Sequence, residues 1–395
     1  MTQIWNTSKQ TIHPKVLAFT SNEDRKMDEK IFFPYDLKGT KAHGKMLHSM
    51  NILNEEEWAQ LNEGLKKLEE TFHKGDFKIP DGMEDGHTAI EAYLTENYGE
   101  VGKKIHTARS RNDQSLCMIR LYTIDHLDSM KKGVLALIDE WEKWGDKHKD
   151  TPMPGYTHMQ KAMPTTVGIW QDSYTDALKD SLILLDSIRL ICDQSPLGSG
   201  AGYGIPMALD RGISAQELGF SKVQENPIYC QMSRGPFESM ALFASLQIMN
   251  ILSKWASDLL LFTMSEFKFF KLPKEYCTSS SIMPQKQNYD VLELMRARQG
   301  VVMGAFQEIQ QIQTGLNSGY HRDLQLIKVP LVRGFSCVEE ALEMAQILSP
   351  ILAVNENDLA KAMTPELYAT EEVYKLVEKG VPFREAYGEI KKKVG

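Results

Sequence analysis

Between Phe237 and Phe267 the chain runs without a single proline or glycine. One helix can span such a stretch in roughly 45 Å at 1.5 Å per residue, far beyond the average globular helix. The pattern recurs. Ser115 to Trp144 holds no proline and one glycine, and its apolar residues, from Leu116 and Ile119 to Ile138 and Trp141, cover more than one side. Val167 to Cys192 and Val291 to Ile312 read the same way. A helix that is apolar most of the way round must be deeply buried or shared with another subunit. These spacings predict an all-α fold: a long central helix bundle with smaller helical N- and C-terminal domains, in a chain that oligomerises.

Glycine- and proline-rich breaks separate the helices, among them "TPMPGYTHMQKAMPTT", "SPLGSGAGYGIPMALD" and "KLPKEYCTSSSIMPQK". They divide the chain into an N-terminal helical domain over 1–109, the bundle over 110–354 and a small C-terminal helical domain over 355–395. In the first, Asn54 and Glu57 make a capping box ahead of Trp58, Leu61, Leu65, Leu68 and Phe72 at helical spacing. In the last, "TPELYATEEVYKLVEKGVPFREAY" reads as two short helices, with Thr370 a cap and Gly380 a stop.

A formal net charge of −8 without basic runs argues against a nucleic-acid binder. No apolar run reaches the roughly 18 residues of a membrane span. "MTQIWNTSKQ" lacks the apolar core of a signal peptide. The five cysteines are scattered, which fits free thiols in a reducing cytoplasm. The ten histidines show neither H-x-x-x-H nor H-E-x-x-H spacing, so no metal is expected.

The polar residues concentrate in the breaks. Ser110, Arg111 and Asn112 in "TARSRNDQ" set a hydroxyl, a guanidinium and an amide side by side. That group suits a carboxylate, or is simply a solvated helix start. Thr157 and His158 lie in a break between helices, where a lone histidine is more often a surface residue than a catalyst. In "SSSIMPQKQNYDVLE", Asn288 can cap the helix that carries Glu293. Ser280 then lies in a mobile run, and Lys286 sits near the helix's positive end, which favours a carboxylate or an oxyanion. A polar surface loop is the alternative. "GSGAGYG" matches neither nucleotide-binding glycine pattern and follows no strand.

Taken together, these stretches resemble the fumarase/aspartase superfamily and, within it, the argininosuccinate lyase family, from about Phe19 to Tyr387. "SSSIMPQKQN" is similar to the superfamily signature G-S-S-x-M-P-x-K-x-N. "KKIHTARSRNDQ", "MPGYTHMQKAMP" and "SPLGSGAGYGIPMALDR" resemble its other blocks. "SRNDQ" and the set Tyr320, Asp323, Gln325, Lys328 resemble the argininosuccinate lyase branch in particular. The chain departs from the pattern at Ser279 and Ala108, where the family has glycines. It departs again at Gln287 for a lysine, Tyr289 for a proline, Gly235 for an aspartate and His321 for an asparagine. It ends at Gly395, short of the usual family C-terminus, which reads as a truncated or compact end.

The resemblance implies reversible β-elimination of argininosuccinate to arginine and fumarate, with no cofactor. It implies a homotetramer whose active sites are shared between subunits. Ser280 would be the base. Lys286 and Asn288 would meet the charge that it creates. His158, oriented by Glu293, would serve the leaving nitrogen. Thr157, Ser110, Arg111 and Asn112 would hold the succinyl carboxylates, and Tyr320, Gln325 and Lys328 the arginine end, with His87 nearby. A sister lyase acting on adenylosuccinate or an acylated argininosuccinate, and a non-catalytic crystallin-like protein, are the alternatives.

Overall fold

The computed structural model describes residues 12–394. The chain opens with α1 (Pro14–Met27), a π-helical turn (Asp28–Phe32), α2 (Phe33–Ser49), α3 (Glu55–His73), α4 (Gly86–Tyr98) and α5 (Glu100–Lys104). The long helices follow: α6 (Arg111–Lys147) and α7 (Val167–Cys192), then, after the short α8 (Arg211–Glu217) and α9 (Pro227–Met232), α10 (Pro236–Phe262), α11 (Asp290–Gln313) and α12 (Lys328–Leu348). α13 (Glu356–Ala362), α14 (Ala369–Glu378) and α15 (Phe383–Val394) close the chain. Strands occur only as short antiparallel pairs among the described residues: β1 (Pro152–Thr157) with β2 (Gln160–Thr166), β3 (Phe270–Lys271) with β6 (Ala353–Val354), and β4 (Thr278–Ser279) with β5 (Gln287–Asn288). The fold is all-α. None of the described helices is long and apolar enough to cross a membrane.

Two compact units share the chain. The first comprises residues up to Ser129 with Leu184–Ser245 and Val302–Ser336; the second comprises Met130–Ile183, Leu246–Val301 and the residues from Cys337 onward. In the first, Asn54 Oδ1 accepts from Glu57 N at 2.9 Å and Glu57 Oε2 accepts from Asn54 N at 3.0 Å. This capping box starts α3, whose Leu61, Leu65 and Leu68 pack with Phe33, Leu47 and Leu94. Gly64 is required there, because a Cβ would lie 2.6 Å from the Tyr98 ring. Truncating a fully buried leucine such as Leu61 would cost about 2–5 kcal/mol.

The second unit is organised by tryptophans whose indole N–H groups all find acceptors. Trp141 donates to Ser349 Oγ at 2.7 Å, Trp144 to the Leu352 carbonyl at 3.1 Å, Trp170 to Asp258 at 2.9 Å and Trp255 to Gln171 at 3.2 Å. A buried indole without such a partner would be costly.

Local expectations need correction at several points. α10 stops at Phe262, because the chain turns back and Phe269 N donates to the Phe262 carbonyl, with Lys268 at φ 54°. Asn288 is not the cap of α11. It is paired in β5, and the Tyr289 carbonyl accepts the first helical bonds, from Leu292 N and Glu293 N. Thr370 lies inside α14, which Tyr368 precedes. The closing stretch does hold two α-helices, α14 and α15, after a 3₁₀ turn (Pro365–Tyr368), and Gly380 ends the first of them at φ 90°; α13 precedes that stretch.

Candidate active site

The first unit contains a polar cavity of about 100 Å³. α1 supplies Asp24, the loop before α4 supplies Glu84 and Asp85, and the first turn of α4 supplies His87. The first turn of α6 adds Arg111 and Asn112. Arg234, Tyr320, Arg322, Gln325 and Lys328 complete the wall. Lys328 is buried, with its Nζ 2.8 Å from Asp24 Oδ1 and 3.0 Å from Asp28 Oδ1. Asp28 Oδ2 accepts from Gly86 N at 3.0 Å. Burial pushes the Asp28 carboxyl up to about 6, against the pull of Lys328. Burial also works against the Lys328 ammonium, but Asp24 and Asp28 outweigh it and hold Lys328 above its usual range. His87 Nδ1 lies 2.6 Å from Asp36 Oδ2. Despite burial, Asp36, Asp85 and Asp28 raise its pKa.

Arg111 reaches Glu84 at 2.8 Å and Asp85 at 3.0 Å. Arg322 and Gln325 both donate to the Thr20 carbonyl, at 3.0 and 2.8 Å, and Arg322 Nε donates to Gln325 Oε1 at 3.1 Å. α1 is therefore tied to the cavity through polar groups, while its Phe19 is 92% exposed.

Ser110 does not line the cavity. Its N–H donates to Asp113 Oδ1 at 2.9 Å, and its Oγ accepts from Asn112 N at 3.2 Å. Asp113 is fully buried, and its other oxygen accepts from Gly198 N at 2.8 Å and Gly200 N at 3.1 Å. One carboxylate thus clasps the start of α6 to the glycine loop. Ala108, just before, stands at φ 59°, a left-handed position that costs a non-glycine residue about 1–2 kcal/mol.

The remaining sequence candidates lie in the second unit, on two hairpins and a helix start. Thr157 ends β1 and pairs with Gln160, so His158 and Met159 form a two-residue turn at φ 53° and 61°. Turns with two left-handed residues favour Asn and Gly. A histidine held there is strained and exposed, a combination found at functional sites. Ser280 sits beyond β4, where its Oγ accepts from Met283 N at 3.1 Å and Ile282 N at 3.3 Å. The run that carries Ser280 is thus the turn between β4 and β5. Such donors favour a deprotonated oxygen. Lys286 lies on the same hairpin, exposed, and Asn288 donates to Thr278 Oγ1 at 3.5 Å. Glu293 is exposed in the first turn of α11. Among the described residues no hydrogen bond or ion pair joins His158 to Glu293.

The cavity thus gathers His87, Arg111, Asn112, Tyr320, Gln325 and Lys328. Ser280, Lys286 and Asn288 share one hairpin, and Thr157 and His158 share another. A family model described as Lyase matches residues 16–304. The argininosuccinate lyase of Thermotoga neapolitana is 43% identical over 98% of this chain and 96% of its own. The chain belongs to the argininosuccinate lyase family, within the fumarase/aspartase superfamily. The argininosuccinate lyase of Sorangium cellulosum is 42% identical over 98% of this chain and 90% of its own. A crystal structure of EDDS lyase in complex with formate superposes with a TM-score of 0.82 at 24% identity, over 92% of this chain and 72% of that one, and shares the fold.

Sequence reasoning about this family member missed Asp24, Asp28, Glu84, Asp85, Asp113, Arg234 and Arg322. Asp113 carried a signal: an acid one residue beyond three donors, in a chain that also has a run of alternating glycines. The acids of α1 carried none, because they read as the solvated face of a helix.

Proposed function

We propose that the protein is an argininosuccinate lyase, a carbon–nitrogen lyase that splits argininosuccinate into arginine and fumarate and can run in reverse. The observation that carries this reading is the 43% identity over nearly the whole length of both chains. A cavity that mixes acids and cations suits the amino-acid end of such a substrate.

The chemistry follows from charge. Ser280 Oγ takes the proton beside a succinyl carboxylate, and that carboxylate becomes an enolate-like dianion. Lys286 and Asn288 stabilise the dianion where it forms. The C–N bond then breaks, its electron pair goes to the guanidino nitrogen, and the new double bond gives fumarate. His158, oriented by Glu293, provides a proton or a hydrogen bond to that nitrogen. Thr157, Ser110, Arg111 and Asn112 hold the succinyl carboxylates. Tyr320, Gln325 and Lys328, with His87, hold the arginine end. No cofactor enters these steps.

The sites belong to a homotetramer and are shared between subunits. In support, Ile169 and Ile183 on α7 and Leu294 on α11 are each more than 60% exposed, apolar faces that another subunit would cover. That the cysteines of the described residues form no disulfide fits a cytoplasmic location.

The deciding assay follows fumarate absorbance with argininosuccinate and adenylosuccinate as substrates. Release from argininosuccinate alone is expected, and no release from it would end the proposal. The shared site is tested by refolding inactive His158→Asn and Ser280→Ala chains together. Random tetramers restore about a quarter of sites. Tetramers as inactive as either parent would place both groups on one chain.

A further inference from the structure

The hairpin that carries His158 is poorly equipped to hold its own turn. In its base, Pro152 faces Thr166, Met153 faces Thr165 and Pro154 faces Pro164. Three of these six residues are prolines, which donate no ladder hydrogen bond. The register then slips between Pro154 and Tyr156, and only two pairs remain before the turn, Tyr156 with Lys161 and Thr157 with Gln160. So short and detached a ladder is a weak means of imposing left-handed backbone on both His158 and Met159, neither of which is a glycine. Strain of this kind persists only where the surroundings over-determine it.

Side chains grip the pair next to the turn on both strands, all within the second unit. Tyr156 packs against Phe267 and Phe262, with ring centres 5.9 and 6.1 Å away. Opposite it, Lys161 reaches the C-terminal segment. Its Nζ donates to Thr364 Oγ1 at 2.9 Å and lies 4.0 Å from Glu366 Oε1. Thr364 Oγ1 in turn donates to Glu366 Oε1. A hydroxyl has one proton to give and lone pairs to receive, so cation, hydroxyl and carboxylate form one relay. Charged ends make such bonds stronger than neutral ones. The relay has a firm footing, because Leu367 is buried in the same 3₁₀ turn and its N–H donates to the Thr364 carbonyl at 3.1 Å. We propose that Lys161, through Thr364 and Glu366, is a positioning residue that holds the His158 turn in its strained form. The C-terminal segment then sets where the histidine stands. This rests on the lyase reading above, which gives His158 its task at the leaving nitrogen, and makes that task depend on a segment that supplies none of the site's own groups.

The test breaks the relay at either end in the full-length protein, with Lys161→Met and Thr364→Val, and preserves it with Lys161→Arg. Turnover of argininosuccinate is followed by fumarate absorbance, and the hairpin by hydrogen exchange read by mass spectrometry. The Lys161 side chain is 31% exposed, so losing its charged hydrogen bond is worth about a factor of 3–10 in a local equilibrium. Lys161→Met and Thr364→Val should each lower kcat about 3- to 10-fold and leave KM within about twofold, because His158 acts in the transition state. Deuterium uptake over 152–166 should rise in both variants without a rise in the first unit. The double variant should be no worse than either single one, since both changes break the same relay. Lys161→Arg should keep most of the wild-type kcat, and Thr364→Val carries the test if the methionine variant fails to fold. A loss confined to KM, additive losses in the double variant, or wild-type kcat and uptake in both single variants overturns the inference even if the wild type releases fumarate. Absence of that release from the wild type overturns the lyase reading and the catalytic consequence drawn from it, while the exchange result still decides whether the relay holds the turn.

Discussion

Replacing Asp113 tests whether the cavity wall is assembled by a single carboxylate. Its two oxygens accept three backbone N–H groups, from Ser110 at 2.9 Å, Gly198 at 2.8 Å and Gly200 at 3.1 Å, in a fully buried place. Asparagine keeps one oxygen and turns an NH2 group toward at least one of these donors. Each buried donor left unpaired costs about 1–3 kcal/mol. Asp113→Asn should therefore destabilise by ~2–4 kcal/mol, and Asp113→Ala, which abandons all three, by ~3–6 kcal/mol. The glycine loop cannot relax cheaply, because Gly198, Gly200, Gly202 and Gly204 all stand at positive φ, between 67° and 108°. If the first unit unfolds cooperatively, each kcal/mol lowers its melting temperature by about 2–4 °C. Circular dichroism melts should then show a drop on the order of 5–15 °C for Asp113→Asn, with a raised KM for argininosuccinate, because Arg111 and Asn112 follow directly from the clasp. A variant that melts within 2 °C of the wild type (under ~1 kcal/mol by the same conversion) would refute the clasp.

Three further outcomes are expected. Ser280→Ala should lower kcat by several orders of magnitude while substrate still binds, because a base acts only in the transition state; near-normal turnover would remove Ser280 from that role. Lys328→Met should destabilise by about 3–5 kcal/mol by leaving the buried Asp28 and the half-buried Asp24 without their cation, and urea titration would register it. Asp28 gives a pH signature. Its carboxyl is raised from 3.8 to about 6, so the native state holds its proton longer than the unfolded chain. The stability it contributes is complete below pH 4 and is lost as pH rises through 6, on the order of 3 kcal/mol in all. Asp28→Asn should lack that decline, and identical pH–stability curves for variant and wild type would contradict the assignment.

The sequence was most legible where one local rule sufficed. α7 spans Val167–Cys192 as its apolar spacing indicated, and Asn54 with Glu57 forms the capping box their separation implied. Legibility failed where distant groups compete. Asn288 is a good capping residue on local grounds, but pairing in β5 placed Tyr289 at the helix start instead. His158 reads as one more loop residue, because nothing in "YTHMQ" announces a turn with two left-handed residues. Asp24 and Asp28 look like solvated acids until Lys328, 300 residues from Asp28, is brought between them. Such pairings are set by the tertiary fold, and no local period records them.

The same pairings bear on how the amino-acid end of the substrate is held. Lys328 was the cation expected to meet its carboxylate. With Asp24 and Asp28 both at ion-pair distance, the cluster carries no positive charge to offer. If both acids are ionised it is net negative, and with Asp28 protonated it is neutral. Gln325 is committed as well, since its amide donates to Thr20 and accepts from Arg322. A carboxylate approaching these two residues would have to displace contacts made by α1 and would gain only the difference. The amino-acid end, however, carries an ammonium beside its carboxylate, and that ammonium could take the place of the Lys328 ammonium at Asp24 and Asp28 and leave Lys328 to the carboxylate. In the proposed reading Lys328 and Gln325 would then serve two ends in turn, holding α1 and the 3₁₀ turn Arg322–Ile327 before substrate arrives and meeting the amino-acid end of the substrate afterwards.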